Sequence, residues 1–352
     1  TLMSSHLWIP PQPEQANGSI SQIRQLAQDN WLAGWEYRKS HSIDGSIGAG
    51  PNYQLKVVVN YGSGTDSGNS VYLNGNCESD FRDIRFTDDD GVTELDYWIE
   101  DFTVHSHAEI WIEVADNLDN NQLIYIYYGH SGAVSNSNGG NTFIHFEHWT
   151  TTPTYNDGSG SFGISDSTWL YASDYGLDGD VGGIEYHGPA TRGSEFAFPT
   201  QASGVRMRVG IDYDCNDNNN IMGGFEFGLS DSDDNPQFRV QMTDSWEDYK
   251  ESRFVFSNRV NSEAFHDRGR SGDLVDWDGT TEVRLFENSG DDWWWYIDDE
   301  LEATGDSDFD HTWSRATNRL YARDSHDIPT RNRIDWQYVS KFIASEPVHS
   351  SW

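Results

Sequence analysis

Thr281-Glu282-Val283-Arg284-Leu285-Phe286 and Trp293-Trp294-Trp295-Tyr296-Ile297-Asp298 are two short runs rich in β-branched and aromatic residues, parted by a polar stretch from Glu287 to Asp292. Neither run has a helical period, and successive side chains on a strand point to opposite faces. Trp293 and Trp295 therefore share one face and Trp294 and Tyr296 the other. One pair enters a core while the other faces outward. Outward from this point the pattern repeats, with strands expected at Tyr53–Tyr61, Asp96–Glu100, Ala108–Val114, Gln122–Tyr128, Gly204–Tyr213, Gln237–Thr243 and Arg333–Ile343. Clusters of Gly, Asn, Asp and Ser punctuate them. Many short strands with turn signals and almost no helical periodicity predict an all-β chain, a β-sandwich or jelly roll.

The first thirty residues differ. Leu7-Trp8-Ile9-Pro10-Pro11 reads as an extended arm, because each proline disfavours helix in the residue before it. Ser19 with Gln22 makes a capping box, and Ile20, Ile23 and Leu26 then fall on one helical face. An arm and a short helix with exposed apolar groups need a covering surface, so Leu7, Trp8, Ile20, Ile23 and Leu26 are the candidate attachment residues. The chain opens on Thr1 rather than Met, which predicts a leader or preceding segment removed from it.

Composition restricts function. Acidic residues outnumber basic ones 58 to 22, for a formal charge of −36, spread along all 352 residues. Such a surface repels itself in dilute buffer, whereas near 1 M salt the Debye length is roughly 3 Å and the repulsion is screened. Lysine occurs only at Lys39, Lys56, Lys250 and Lys341. Both features predict a brine habitat. A nucleic-acid partner is disfavoured, since phosphate meets no basic patch. Disorder is disfavoured by 15 Trp and 14% aromatic content. The longest apolar runs are strand-sized, short of the ~20 residues of a membrane-spanning helix. Cys77 and Cys215 leave one long-range bridge open.

Several strings in Trp35–Asn141 agree in order and spacing with a known family. Trp35-Glu36-Tyr37-Arg38-Lys39, Asp80-Phe81-Arg82-Asp83-Ile84-Arg85-Phe86, Ala108-Glu109-Ile110-Trp111-Ile112-Glu113-Val114 and Ile124-Tyr125-Ile126-Tyr127-Tyr128-Gly129 resemble the DUF2341 domain of archaeal and bacterial surface proteins. That resemblance implies a non-enzymatic, extracellular module, often placed before a concanavalin-like one. The later hairpin, Trp293 to Ala303, and Arg333-Ile334-Asp335-Trp336-Gln337-Tyr338-Val339 are similar to a concanavalin A-like or laminin-G-like jelly roll. The glycine usual in its turn is replaced by Asp299. With a boundary in the linker-like Gly129–Asn141, the expected organisation is an arm and helix (1–30), a DUF2341-like sandwich (31–138) and a concanavalin A-like jelly roll (139–352).

Four candidate chemistries follow. Trp293, Trp294, Trp295, Tyr296 and Asp298 are glycan-binding candidates, because an outward ring pair can stack on a sugar while a nearby carboxylate takes its hydroxyls. Asp212, Asp214, Asn216 and Asp217 offer oxygen ligands for Ca2+, as do acidic turns from Asp174 and Asp231, though none has the glycine and distal Glu of a complete calcium loop. Glu94-x-Asp96-x-Trp98-x-Glu100 would share one strand face and is close to a glucanase signature; its spacing is longer, and it is read as structural or solvated. His105-x-His107 with Glu109 could make a metal triad, but the reading taken is a solvated edge strand. The function expected is a non-catalytic surface or attachment protein of a halophilic archaeon or its virus that binds envelope glycans, with no cofactor beyond possible Ca2+. Its partners would be copies of itself, other surface or virion proteins, and cell-envelope glycans. A purely structural appendage subunit is the alternative and a glycoside hydrolase a distant third.

Overall fold

The computed structural model describes residues 30–148 and 335–352 throughout and, between them, the strands named below, with side chains at 204–211, 279–286 and 292–305. The first eight strands are β1 (Tyr37–Asp44), β2 (Tyr53–Asn60), β3 (Ser70–Tyr72), β4 (Arg85–Thr87), β5 (Glu94–Leu95), β6 (Tyr97–Thr103), β7 (His107–Val114) and β8 (Gln122–Tyr128). One helical turn, α1 (Gly139–Thr142), precedes β9 (His145–His148), β10 (Ser161–Ser165), β11 (Trp169–Ser173) and β12 (Gly183–His187). Then come β13 (Gly204–Asp214), β14 (Met222–Ser230), β15 (Pro236–Asp244), β16 (Ser252–Asn258), β17 (His266–Arg270) and β18 (Trp277–Phe286). The last five are β19 (Asp292–Ile297), β20 (Glu300–Asp306), β21 (Arg315–Arg323), β22 (Arg331–Phe342) and β23 (Val348–Ser351). The chain is all-β, and each strand expected from alternation forms within a few residues of its expected ends.

Alternation also builds the first core. On β2, Tyr53, Leu55, Val57 and Val59 point inward, and on β7 Ala108, Ile110, Ile112 and Val114 meet them. Those strands belong to a four-stranded sheet, β3-β2-β7-β6, which packs on a five-stranded sheet, β23-β1-β8-β4-β5, bringing Ile124, Ile126 and Phe86. Cys77 is buried in this core, where burial and the nearby Asp83 push its thiol up to about 12; Cys215 lies outside the described residues. The second unit has an eight-stranded sheet, β10-β11-β22-β13-β18-β19-β20 with β9 also on β22, beside a six-stranded sheet, β12-β21-β14-β15-β16-β17. Neighbours far apart in sequence, such as β22, β13 and β18, are the crossovers of a jelly roll rather than of a meander.

Two features depart from the sequence reading. The linker-like stretch is bound down on the first unit: the amides of Gly129 and His130 donate to Asp83 Oδ2 at 2.8 and 3.1 Å, and that of Asn138 to the Tyr97 carbonyl at 2.8 Å. Small polar residues leave the backbone accessible, and the partners are Asp83 in the turn before β4 and Tyr97 on β6. The other feature is the chain end. Ile343 joins the first core, and β23 then pairs antiparallel with β1 through Ser42–Ser351, Ile43–His349 and Asp44–Val348.

Side chains fasten this last strand. His41 is fully buried; its Nε2 lies 2.7 Å from His349 Nδ1, and the Trp352 ring stacks on it at 3.8 Å. Burial and then the partner imidazole hold His41 down at about 4, and burial holds His349 at about 4. A histidine whose folded pKa is lowered binds protons first in the unfolded chain, so this stabilisation is complete above pH ~6.5 and is lost as pH falls toward 4. Acidification across that window is expected to release β23. Amide exchange of residues 348–351, corrected for its intrinsic pH dependence, would show it, and His349→Gln should flatten the response. Constant protection down to pH 4 would refute the account.

Candidate functional site

Registers in the eight-stranded sheet fix which side chains share a face. Arg206 lies opposite Arg284 and Ser340, Arg208 opposite Glu282 and Tyr338, Glu282 opposite Tyr296, and Arg284 opposite Trp294. All of these point toward the first unit. Val205, Met207, Val209, Val283, Leu285, Trp293 and Trp295 form the buried opposite face. This resolves the alternative left open above: Trp293 and Trp295 are core residues at 3% and 0% exposure, while Trp294 and Tyr296 are half-buried on the other side. Trp294 meets Phe342 edge-on at 5.4 Å, and the Arg284 guanidinium lies over the Tyr296 ring at 4.2 Å.

The opposing surface comes from β2, β6 and β7, whose outward residues are Gln54, Lys56, Trp98, Glu100, Glu109 and Trp111. Trp98, Trp111, Phe143, Trp336 and Tyr338 make a buried aromatic joint between the units, with Trp98 and Trp336 centroids 5.2 Å apart and Phe143 stacked on Tyr338 at 4.0 Å. Aromatic pairs of this kind contribute about 0.5–1.5 kcal/mol each beyond area burial.

Charge surrounds the joint. Arg208 Nε donates to Glu100 Oε1 at 2.9 Å, Nη1 to Glu282 at 3.3 Å, and the rest of the fork to Asp299. The second Glu100 oxygen accepts from Trp111 Nε1 at 2.6 Å and lies 3.2 Å from Lys56 Nζ, which also pairs with Glu109. Arg206 pairs with Glu346 and lies 3.2 Å from Glu282. Burial opposes the charge on Glu282, but Arg206, Arg284 and Arg208 together hold its carboxyl below the usual range. Asp299 is likewise held low, Arg208 outweighing burial. A cleft of about 450 Å³ opens here between Glu100, Asp101, Asp298, Asp299, Asp335 and Trp336, and a second cavity of about 210 Å³ shares Arg208 and Asp299 with it.

Asp299 explains why the hairpin turn lacks its usual glycine. Asp298 and Asp299 both have positive φ, 47° and 64°, the geometry of a two-residue hairpin turn that prefers glycine. Asp298 Oδ1 accepts from the Thr280 amide at 2.9 Å, and the Asp299 carboxylate reaches Arg208. A glycine would relax the backbone and forfeit that bond.

The other candidates separate in part. Trp98 and Glu100 share the junction face as alternation expects, Asp96 takes a bond from Asn141, and Glu94 lies apart in the five-stranded sheet near Arg85 at 3.4 Å. His105 sits in a turn at φ 59°, off the strand that carries His107, and Glu109 is engaged by Lys56. Among the described residues no group of three or more His, Cys, Asp or Glu is placed to hold a metal ion. For the proposed calcium ligands, only the backbone of Asp212 and Asp214 is described, at the end of β13; Asn216, Asp217 and the turns from Asp174 and Asp231 lie outside. So do Leu7, Trp8, Ile20, Ile23 and Leu26.

The sequence reading missed the arginines. Arg206-x-Arg208 inside an apolar strand, in a chain with 22 basic residues, was the available signal. It also missed Glu113, which burial and the neighbouring Asp96 push up to about 7.

No curated protein matches the chain. Among solved structures, the globular domain of T. cruzi calreticulin overlays with a TM-score of 0.36 at 10% identity, covering 60% of this chain and 89% of that one. A β-1,3-1,4-glucanase (lichenase) from a mouse hindgut metagenome gives 0.35 at 12%, over 59% and 99%. The Bacillus licheniformis β-glucanase gives 0.33 at 12%, over 57% and 92%. Overlaps this loose leave function to be argued from the residues of this chain. In sequence, residues 80–169 match the family model of DUF2341, a domain of unknown function.

Proposed function

We propose that the protein is a non-catalytic, extracellular attachment module that binds cell-envelope glycans at the junction of its two units, on the surface of a halophilic archaeon or of a virus infecting one. The observation that carries this reading is the half-buried pair Trp294 and Tyr296, with Arg284 stacked on Tyr296 and lining the smaller cavity. Flat rings beside fixed donors and acceptors suit a sugar, whose faces are apolar and whose rim is hydroxylated. The non-catalytic part is supported at the junction by the ion-paired state of its carboxylates. Both oxygens of Glu100 are taken up by cations and an indole N–H, and Glu109 and Asp299 are ion-paired, so none is poised as a general acid. The habitat rests on the −36 charge.

A glycan array probed in molar salt tests this. Binding is expected, with Tyr296→Ala weakening it about tenfold, the scale of one lost stacking contact of 1–2 kcal/mol. Silence across the array would favour the structural-subunit reading, which the fused joint and the returning β23 also support. Turnover abolished by Glu100→Gln would establish a hydrolase instead.

A further inference from the structure

The smaller junction cavity collects an unusual share of the positive charge of this chain. Lys56, Arg206, Arg208 and Arg284 all line its 210 Å³, together with the Trp111 ring and the carboxylates of Glu282, Asp299 and Glu346. Four of the 22 basic residues thus meet in one hollow of a molecule with 58 acidic ones. The carboxylates do not exhaust the donors. Arg206 is 2% exposed, and its Nη1 has no hydrogen-bond partner among the described residues; its Nε lies 3.2 Å from Glu282 but out of line for a hydrogen bond. Ser340, directly opposite Arg206 on β22, is fully buried and its hydroxyl is also without a partner. A buried donor left unmade costs about 1–3 kcal/mol, so the orphaned Nη1 of Arg206, a residue that lines the cavity, marks a place for an acceptor from outside the chain.

We infer that this cavity seats an anionic group, a carboxylate or sulfate carried by the bound glycan. The inference rests on the glycan-binding reading above and narrows it to acidic sugars. Arginine suits the task because its planar fork meets a carboxylate or sulfate through two parallel bonds, which a neutral hydroxyl cannot match. Trp111, with Arg206 over its ring at 5.1 Å, forms an apolar wall of the same hollow. Asp299 is the exposed partner of Arg208. Its side chain is 60% exposed and pairs with Arg208 from a two-residue turn, so an incoming anion can share that guanidinium without displacing a buried group.

The test is calorimetric titration of the full chain in molar sodium chloride with three probes of equal length: an oligogalacturonate, a sulfated galactan oligosaccharide and a neutral galactan oligosaccharide. At least one charged probe is expected to bind about tenfold or more tightly than the neutral one, the worth of one charge-assisted bond. Lys56→Met and Arg284→Gln, both at partly exposed positions, should each remove that preference while leaving the far-ultraviolet dichroism in place, with the thermal midpoint lowered by the lost ion pairs but the chain folded at the titration temperature. Arg206→Lys, at the buried position, should do the same only if it folds, so the first two variants decide. Equal affinity for charged and neutral probes would overturn the anion seat and leave glycan binding standing. Charge preference that survives both variants would move the seat elsewhere and overturn it too. Absence of binding by all three probes, with an array also silent, would sink both readings.

Discussion

Replacing Arg208 by methionine is expected to lower the stability of the folded chain by about 3–5 kcal/mol, the usual cost of removing one partner from a buried ionic network. The side chain is 4% exposed and answers three carboxylates from three elements, Glu100 on β6, Glu282 on β18 and Asp299 in the β19–β20 turn. Methionine fills the volume, so little of the loss comes from a cavity. What remains is Glu282, 2% exposed, with its partners reduced to Arg206 and Arg284, and Glu100 dependent on Lys56 and Trp111. Denaturant unfolding at fixed high salt measures the loss. Arg208→Met combined with Glu100→Leu should recover part of it, because removing both partners is often neutral where removing one is not. A single-variant loss under about 1 kcal/mol would show that the network adds nothing to the joint.

That network also marks where sequence reasoning stops. Alternation located the strands because each has one apolar face, and Tyr53-Leu55-Val57-Val59 or Val283-Leu285 advertise that face locally. The opposite faces, Lys56 and Glu100 on one unit and Arg208 and Glu282 on the other, read as solvated because they are charged. Their burial depends on two sheets meeting across 108 residues of sequence between Glu100 and Arg208, which no local period encodes. The same limit hid β23. Val348-His349-Ser350-Ser351 has no strand signature of its own, and its place is set by the edge of β1 and by His41, 308 residues before His349. The ring-rich strand was half legible: the pairing of Trp293 with Trp295 followed from period alone, but which pair is core required the partner sheet.

Transfer from molar salt to ~0.1 M is expected to unfold or expand the chain, as the Debye length grows from roughly 3 Å to roughly 10 Å and the surface carboxylates begin to repel across the gaps between them. The −36 charge is spread over the whole sequence, so no single substitution relieves the effect. Salt acts differently on the junction. Arg208, Glu282 and Glu100 are almost inaccessible to counter-ions, and pairs so buried are screened far less than exposed ones. As salt falls the joint should therefore hold while the acidic surfaces around it strain outward, and unfolding should begin at exposed edges. Circular dichroism and thermal midpoints across the salt series give the global answer, and amide exchange on β2, β7 and β13 against the edge strand β23 gives the order. An unchanged midpoint from molar salt to 0.1 M would remove the ground for a brine habitat, and early exchange in β13 would show that the buried charges are no anchor.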